Sequence, residues 1–483
     1  MSPSPLADRE QTLAHLAAEP LDVLVVGGGI VGAGVARDAA MRGLRVGLAE
    51  QLDMAFGTSS RSSRLLHGGL RYLAQGRLGL VYEASREKKV LHQIAPHLCG
   101  PLAFVFPTYR GSGWPWWQMA VGVKLYDLLC GGRNLGPSSA FGAATTMKRL
   151  PGLGSDRLSG GVCYFDGFTN DARLVVDTLR SARTRGAMPV NYLRLDEARA
   201  VGQMWECRLT DVLTGRALEV RARTVVNATG PWSDRLPQSA IRLRVTKGVH
   251  LVLDHARLPI PDAMAITEGN RILFGLRWGQ RTVLGSTDTD YHDALEDIRT
   301  DSSDIEYVLG VTNQYFPDAK LTPADVKACW AGVRPLIADP NGHPSDISRR
   351  HEIIMSHPGW IDVAGGKLTT YRLIAEQVVD RLFRHLGRPS PRCTTAQELI
   401  VEPSQVPHSR ILPPEVDAAV VREACQAEWA VHLDDVMIRR TSWHYYRDDR
   451  STIAAQVADW MGQVLAWDPA TREAELVRYA EKQ

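Results

Sequence analysis

The sequence predicts an α/β protein: a doubly wound parallel-sheet domain interleaved with an antiparallel-sheet domain, followed by a helical C-terminal domain. Three observations lead there. Near the N-terminus a β-branched run, a glycine turn, an alanine-rich stretch and a second apolar run follow one another within Asp22–Glu50, which is the order of a βαβ unit. In the middle, "RILFGLRWGQRTVLGSTD" reads as two extended runs around Gly279-Gln280, an antiparallel hairpin. From about Pro413 the pattern is helical, with few strand signals. At 483 residues, more than one domain is expected.

The elements follow in chain order. The opening "MSPSPLADREQTLAHLAAEP" has neither a basic start nor a long apolar core, so it does not read as a signal or transit peptide. In "LDVLVVGGGIVGAGVARDAAMRGLRVGLAE", residues 23 to 26 form a buried-strand run, and Gly27, Gly29 and Gly32 make G-x-G-x-x-G. Gly43 stands where a helix-ending glycine belongs, and the second strand ends in Glu50. A lone glycine motif is a common turn; with strand, helix, second strand and acid in place it is the Rossmann dinucleotide fingerprint. The helix N-terminus suits a pyrophosphate, and Glu50 suits ribose hydroxyls. This unit by itself fits NAD or FAD.

Next comes "GTSSRSSRLLHGGLRYL", whose serines, arginines, histidine and glycines are too polar for a core strand. "WPWWQMAVGVKLYDLLCGGR" is aromatic and amphipathic, and reads either as a surface-attaching helix or as an ordinary buried one. "VRARTVVNATGPW" reads as a strand into a Gly-Pro turn. Ser303 with Glu306 looks like a capping box. "WIDVAGGKLTTYRLIAEQVVDRLFRHLG" reads as strand, glycine turn and helix, with Ile374, Val378 and Leu382 on one face and Gly387 at its end. Lys367 falls at that helix's N-terminus, where the dipole disfavours a cation, so an anion is expected to meet it. "RPSPRCTTAQ" reads as a linker.

Composition narrows the class. Fifty-six basic and 54 acidic residues leave a net charge of +2, which gives no support for a nucleic-acid partner. No apolar run is long enough to span a bilayer. Seven cysteines without a C-x-x-C pair read as reduced intracellular thiols, and no metal-ligand spacing occurs.

Taken in order, "VVGGGIVGAGVARDAAMRG", "GTSSRSSRLLHGGLRYL", "DARLV", "VVNATGPW", "KGVH", "GSTDTDY", "AGVRPL" and "GGKLTTYR" resemble the FAD-dependent, membrane-associated glycerol-3-phosphate dehydrogenases of the D-amino-acid-oxidase-type flavoproteins. The resemblance runs from about Asp22 to Leu386 and continues more weakly into "DDVMIRRTSWHYY". It implies a glutathione-reductase-like FAD domain (20–95, 165–235 and 335–387), a substrate domain (96–164 and 236–334) and a C-terminal helical domain (395–483).

On that resemblance, Gly27, Gly29, Gly32, Glu50, Thr58, Ser59, Ser60, Ser62, Ser63, Ala228, Gly230, Gly366, Lys367, Leu368 and Thr369 hold a non-covalent FAD. Arg71, Tyr72, Thr287, Arg334 and Arg349 contact the substrate; Arg350 beside Arg349 departs from the family pattern. The implied reaction takes sn-glycerol 3-phosphate to dihydroxyacetone phosphate, with hydride passing from C2 to flavin N5. His67, His250 and Lys367 are the candidate catalytic groups, since a histidine titrates near working pH and a lysine can hold an alkoxide. Gly68 and Gly69 would let the backbone pass close under the flavin. Electrons would go to a quinone, from a homodimer lying on the cytoplasmic face of the cell membrane. The alternatives are an oxidase that reduces oxygen to hydrogen peroxide and another flavin oxidoreductase of the same type. An amino-acid oxidoreductase would need a carboxylate clamp rather than several arginines.

Overall fold

An apolar, β-branched run buried on both faces belongs at the centre of a parallel sheet, and Leu21–Val26 takes that place as strand β1. The computed structural model describes residues 5–68, 77–111, 113–130, 134–269, 271–338 and 351–482. Arg71, Tyr72, Arg349, Arg350 and Gly69 lie outside the described residues.

In chain order α1 (Pro5–Ala18) precedes β1, followed by α2 (Ile30–Met41), β2 (Val46–Ala49) and the short β3 (Leu65–Leu66). Then come α3 (Leu78–Ile94), β4 (Cys99–Tyr109), α4 (Trp116–Cys130), β5 (Ser139–Phe141), α5 (Ala143–Arg149), β6 (Leu158–Thr169) and α6 (Asp171–Thr184). Strands β7 (Met188–Val190), β8 (Leu193–Val201), β9 (Met204–Asp211) and β10 (Ala217–Asn227) lead into β11 (Leu243–Asp254), β12 (Ala263–Glu268), β13 (Arg271–Trp278), β14 (Arg281–Gly285) and β15 (Thr289–Asp290). After α7 (Ser302–Tyr315) stand β16 (Val326–Ile337), β17 (His351–His357), β18 (Trp360–Gly365) and α8 (Tyr371–Leu386). The C-terminal part carries α9 (Ala418–Ala427), a π-helical turn (Asp435–Arg440), α10 (Trp443–Tyr446), α11 (Arg450–Leu465) and α12 (Pro469–Ala480).

Two sheets result, and the chain passes between them repeatedly. In the first, β18, β10, β1, β2 and β7 run parallel, with β17 antiparallel at one edge and β8–β9 appended through β10. Val23 and Val25 face α2, α6 and α8, against Ala33, Val175, Ile374, Val378 and Leu382. Leu24 and Val26 face the other way, toward Leu13, Leu16, Trp205 and Trp360. In the second sheet the order is β15-β11-β14-β13-β12-β4-β6-β3, with β16 paired to β11. One of its faces packs on α7. The other holds Phe104, Ala265, Trp278 and Trp330, with Met119 and Val123 of α4 against them.

The hairpin forms as read, β13 and β14 joined by Gly279-Gln280. The cap of α7 differs from expectation. Asp301, not Ser303, is the N-cap, and Asp304, not Glu306, closes the box. A carboxylate two residues earlier reaches the first-turn N–H groups, so the helix begins sooner than the serine suggests. The segment read as a linker, 388–397, carries no helix or strand and is pinned near its end, where buried Arg37 donates to the Thr395 carbonyl and, just beyond, to those of Glu398 and Leu399.

The C-terminal helices are locked on by buried charge. Arg440 makes a two-pronged contact with Asp53, at 2.7 and 2.8 Å, and Arg439 reaches the same carboxylate. Arg173 of α6 grips Glu428 with both nitrogens at 2.6 Å. Burial alone would raise the Asp53 pKa, but Arg440 and Arg439 hold it down to about 2. Removing one member of such a cluster strands the rest in the interior. Asp53→Ala should therefore lower unfolding stability by about 3–5 kcal/mol, measured by urea titration against the parent chain.

Candidate active site

Two cavities meet at one wall. The smaller, about 420 Å³, opens at the C-terminal ends of β1, β2 and β10 and is lined by Gly27, Gly29, Glu50, Thr58, Ser59, Ala228, Thr229 and Gly230. The larger, about 850 Å³, lies under the second sheet. Thr58, Pro335, Gly366, Lys367 and Leu368 border both.

The smaller cavity sits where a doubly wound sheet binds ligands. Gly27 has φ +112°, and a Cβ there would stand 2.5 Å from the Ala228 carbonyl oxygen, so β1 and β10 can approach only around a glycine. Gly29 caps α2 without a side chain, which leaves the helix start open to an anion. The Ile30 N–H donates to Ser59 Oγ at 3.0 Å. Glu50 accepts from the Gly28 and Leu52 N–H groups at 2.7 and 2.9 Å. Burial pushes its pKa up, and those two donors pull it back. Gly32, on the first turn of α2, and Ser60, buried, line neither cavity.

The larger cavity gathers Ser62, Ser63, His67, His250, Thr287, Arg334 and Thr369 with Lys367. Ser62 is turned to Asp171, whose Oδ2 accepts from its N–H and its hydroxyl. Ser63 Oγ lies 2.8 Å from His250 Nε2. The His67 N–H donates to Thr369 Oγ1 at 3.1 Å, which ties the end of β3 to the turn before α8. Thr287 Oγ1 accepts from the Val249 N–H. Arg334 donates to Ser286 Oγ, the Thr287 carbonyl and Asp288 Oδ1 at 2.6, 3.1 and 3.1 Å, so its guanidinium has a fixed plane.

Sheet register divides this cavity into two chemical halves. His250 on β11 lies across from Trp330 on β16 and Gly285 on β14, and Arg334 lies across from Thr246 on β11. Phe274 on β13 is the next partner of Gly285 and lies opposite Ala265 on β12. Beyond that, Phe104 on β4 stands opposite Tyr164 on β6, stacked at 5.3 Å, and meets Phe274 edge-on at 5.6 Å. Arg334 and His250 therefore stand on the β11–β16 side and the Phe104, Tyr164 and Phe274 rings on the β13–β6 side, where Arg271 of β13 and Glu268 of β12 also line the cavity. Sequence reading missed the aromatic half; the period-two phenylalanines in "LAFVF" were its only signal. It also missed Asp166, which lines the cavity and has no motif of its own, and Asp288, which lay unread inside "GSTDTDY".

His250 is buried and stacked on Trp330 at 5.2 Å. Burial, with Arg334 and Arg64 nearby, lowers its pKa from 6.5 to about 3. It is therefore neutral across ordinary working pH. Among the described residues no group of three or more histidine, cysteine or carboxylate side chains is placed to hold a metal ion.

A family model described as FAD dependent oxidoreductase matches residues 22–372, and one described as C-terminal domain of alpha-glycerophosphate oxidase matches residues 363–472. The chain is similar to the aerobic glycerol-3-phosphate dehydrogenase of Bacillus subtilis, 39% identical over 77% of this chain and 68% of that one. It is 33% identical to glycerol-3-phosphate dehydrogenase 2 of Mycobacterium bovis, over 98% and 90% of the two chains. Among solved structures it resembles the glycerol-3-phosphate dehydrogenase from Bacillus halodurans complexed with FAD, with TM-score 0.80, 26% identity and coverage of 99% and 97%. The open start of α2, the glycine cradle at Gly27 and the carboxylate of Glu50 fit a flavin dinucleotide.

The neutral state of His250 has a consequence for stability. Between about pH 6.5 and 3 the unfolded chain binds a proton at this site that the folded chain refuses, so stability falls as pH drops through that window. His250→Gln should remove this contribution and flatten that part of the stability–pH curve, as read from urea midpoints at pH 7, 5.5 and 4.

Proposed function

The chain belongs to the FAD-dependent oxidoreductase family, and from that premise we propose that it oxidises sn-glycerol 3-phosphate to dihydroxyacetone phosphate and passes the electrons to a quinone at a membrane surface. The observation that carries the substrate is Arg334. Its guanidinium is held by Ser286, Thr287 and Asp288 in the cavity that also contains His67 and Lys367, beside the dinucleotide cleft. A guanidinium with a fixed plane suits a phosphate oxygen pair. The names of the relatives support the same substrate.

Bound FAD supplies the two-electron acceptor for hydride from the carbinol carbon. The chain supplies the rest. Arg334 orients the phosphate, which sets the carbinol toward the shared wall. Lys367 stands at that wall as the N-cap of the short turn leading into α8, where its ammonium steadies the developing alkoxide. Between the two histidines, His67 is the better base. His250 has its Nε2 on Ser63 and a pKa near 3, so it is a poor proton acceptor and serves to orient Ser63.

Two features support an apolar acceptor. The aromatic half of the cavity exceeds what a three-carbon phosphate needs, and it reaches Met119 of α4 and Trp114 just before that helix. That helix is apolar on both faces. Met119, Val123, Tyr126 and Cys130 are buried, while Trp117, Val121, Leu125 and Leu128 are 61%, 62%, 42% and 76% exposed. Its two charged residues are tied to the loop that follows, Lys124 through the Ser138 carbonyl and Asp127 through Asn134 and Ser138. The outward stripe thus carries one exposed charge, Lys124, among apolar side chains, and suits the interfacial layer of an anionic bilayer. Among the described residues no helix is long and apolar enough to cross a membrane.

Anaerobic addition of glycerol 3-phosphate should bleach the flavin band, with glycerol and lactate inert; no bleaching would overturn the substrate. Arg334→Ala should raise KM by roughly 10–100-fold, the worth of one or two charge-assisted hydrogen bonds. In flotation the protein should rise with anionic liposomes, and Val121→Asp with Leu128→Asp should leave it at the bottom of the gradient. Near-stoichiometric hydrogen peroxide in place of quinone reduction would overturn the acceptor.

A further inference from the structure

A buried ionic cluster fills the space between α3 and α4, directly behind the loop that carries His67. Lys88 of α3 is buried. Its ammonium donates to Asp166 Oδ1 at 2.8 Å, the Phe165 carbonyl at 3.0 Å, Asn134 Oδ1 at 3.2 Å and Tyr126 Oη at 3.4 Å. Tyr126, on the inner face of α4, donates its own hydroxyl to the same Asp166 oxygen at 3.2 Å. The third donor to that oxygen is the backbone N–H of Gly68, at 3.0 Å. Asp166 and His67 both line the larger cavity. The proposed chemistry uses neither Lys88, Tyr126 nor Asp166.

Close packing gives a second, independent sign. A Cβ on Gly68 would stand 2.0 Å from Tyr126 Oη and 2.9 Å from Ser85 Oγ, so the loop is seated directly on the cluster. His67 is then held from both sides. Its own N–H is fixed to Thr369 at the start of α8, and the next peptide N–H is fixed to Asp166. A buried lysine–carboxylate pair is close to neutral for stability compared with apolar residues of the same volume. A fully satisfied polar network does specify one geometry.

We propose that Lys88, Tyr126 and Asp166 are positioning residues: through the Gly68 N–H they set where the His67 imidazole meets the substrate carbinol. This rests on the reading of His67 as the base. The cluster also joins the outward apolar stripe of α4 to the reacting centre, because Tyr126 is on the opposite face of the same helix.

The test uses the FAD-loaded full chain with a dye acceptor, so that no step depends on quinone or membrane. Asp166→Leu removes the shared acceptor, Asp166→Asn retains one, and Tyr126→Phe removes one donor at constant shape. Asp166→Leu should lower kcat per bound FAD by roughly 30-fold, a loss typical of a displaced catalytic group, with KM changed by less than about threefold. Asp166→Asn should recover most of that loss, and Tyr126→Phe should lower kcat by about fivefold. Hydrogen exchange should accelerate at the Gly68 amide in Asp166→Leu and Tyr126→Phe, with the core strands unchanged. Wild-type kcat per bound FAD in Tyr126→Phe, or unaltered Gly68 exchange, would overturn the proposal. Should Asp166→Leu not fold, Tyr126→Phe decides by itself. If glycerol 3-phosphate fails to bleach the unmodified protein, the substrate reading falls, while Gly68 exchange still reports the network.

Discussion

The turn between β18 and α8 has to border two cavities at once, and most of the architecture follows from that requirement. Gly366, Lys367 and Leu368 line both the dinucleotide cleft and the cavity under the second sheet. For this to happen the first sheet must end where the second sheet's β16 passes, and Pro335 of β16 lines both cavities as well. The loop after β2 closes the same junction from the other side. Thr58 donates to the Val333 carbonyl of β16, and His67 donates to Thr369. A chain that crosses repeatedly between two sheets is the means by which residues more than 250 positions apart come to share one wall.

Holding that wall still requires support from behind, and the support is largely ionic. Asp53, at the start of the segment after β2, is gripped by Arg439 and Arg440 of the C-terminal part. Asp171, which accepts twice from Ser62, is itself held near Arg64, whose guanidinium lies 4.3 Å from the ring centre of Trp278. Asp166 completes the set beneath Gly68. Asp53 belongs to the short segment Asp53–Gly68, and Asp171 and Asp166 each accept from donors within it. Buried charge of this kind adds little net stability, but it leaves the segment one arrangement, which a site built on a loop otherwise lacks.

The second sheet contributes differently. Its cavity-facing side is one continuous surface, and chemistry changes along it with strand order. Because side chains alternate strictly along each strand, His250, Gly248 and Thr246 face the same way on β11 as Trp330, Gly332 and Arg334 do on β16. The placing of His250 and Arg334 on one side and of the aromatic rings beside the exposed helix α4 on the other thus follows from strand order and register.

What the sequence determined by itself was the local chemistry: the βαβ unit with Gly27, Gly29, Gly32 and Glu50, the β13–β14 hairpin, the helix ending at Gly387 and the ordered motifs around His67, Arg334 and Lys367. These were legible because each is a short-range pattern in which turn residues and periodicity act within a few positions. The cap of α7 was misplaced because two acceptable capping residues stand close together, and only the backbone path chooses between them. That the connection after α8 is pinned at its end was not legible, because composition cannot show that Arg37, some 350 residues earlier, binds the Thr395 carbonyl. Lys88, Asp166 and the aromatic half of the cavity left almost no trace. A charged residue in a helix or a phenylalanine in a strand is ordinary until the sheet order brings β4, β6, β12 and β13 side by side. Tertiary structure alone decided that His67 and His250 line the same cavity and that His250 is buried and neutral there, since desolvation depends on what is packed around a ring and not on its neighbours in the chain.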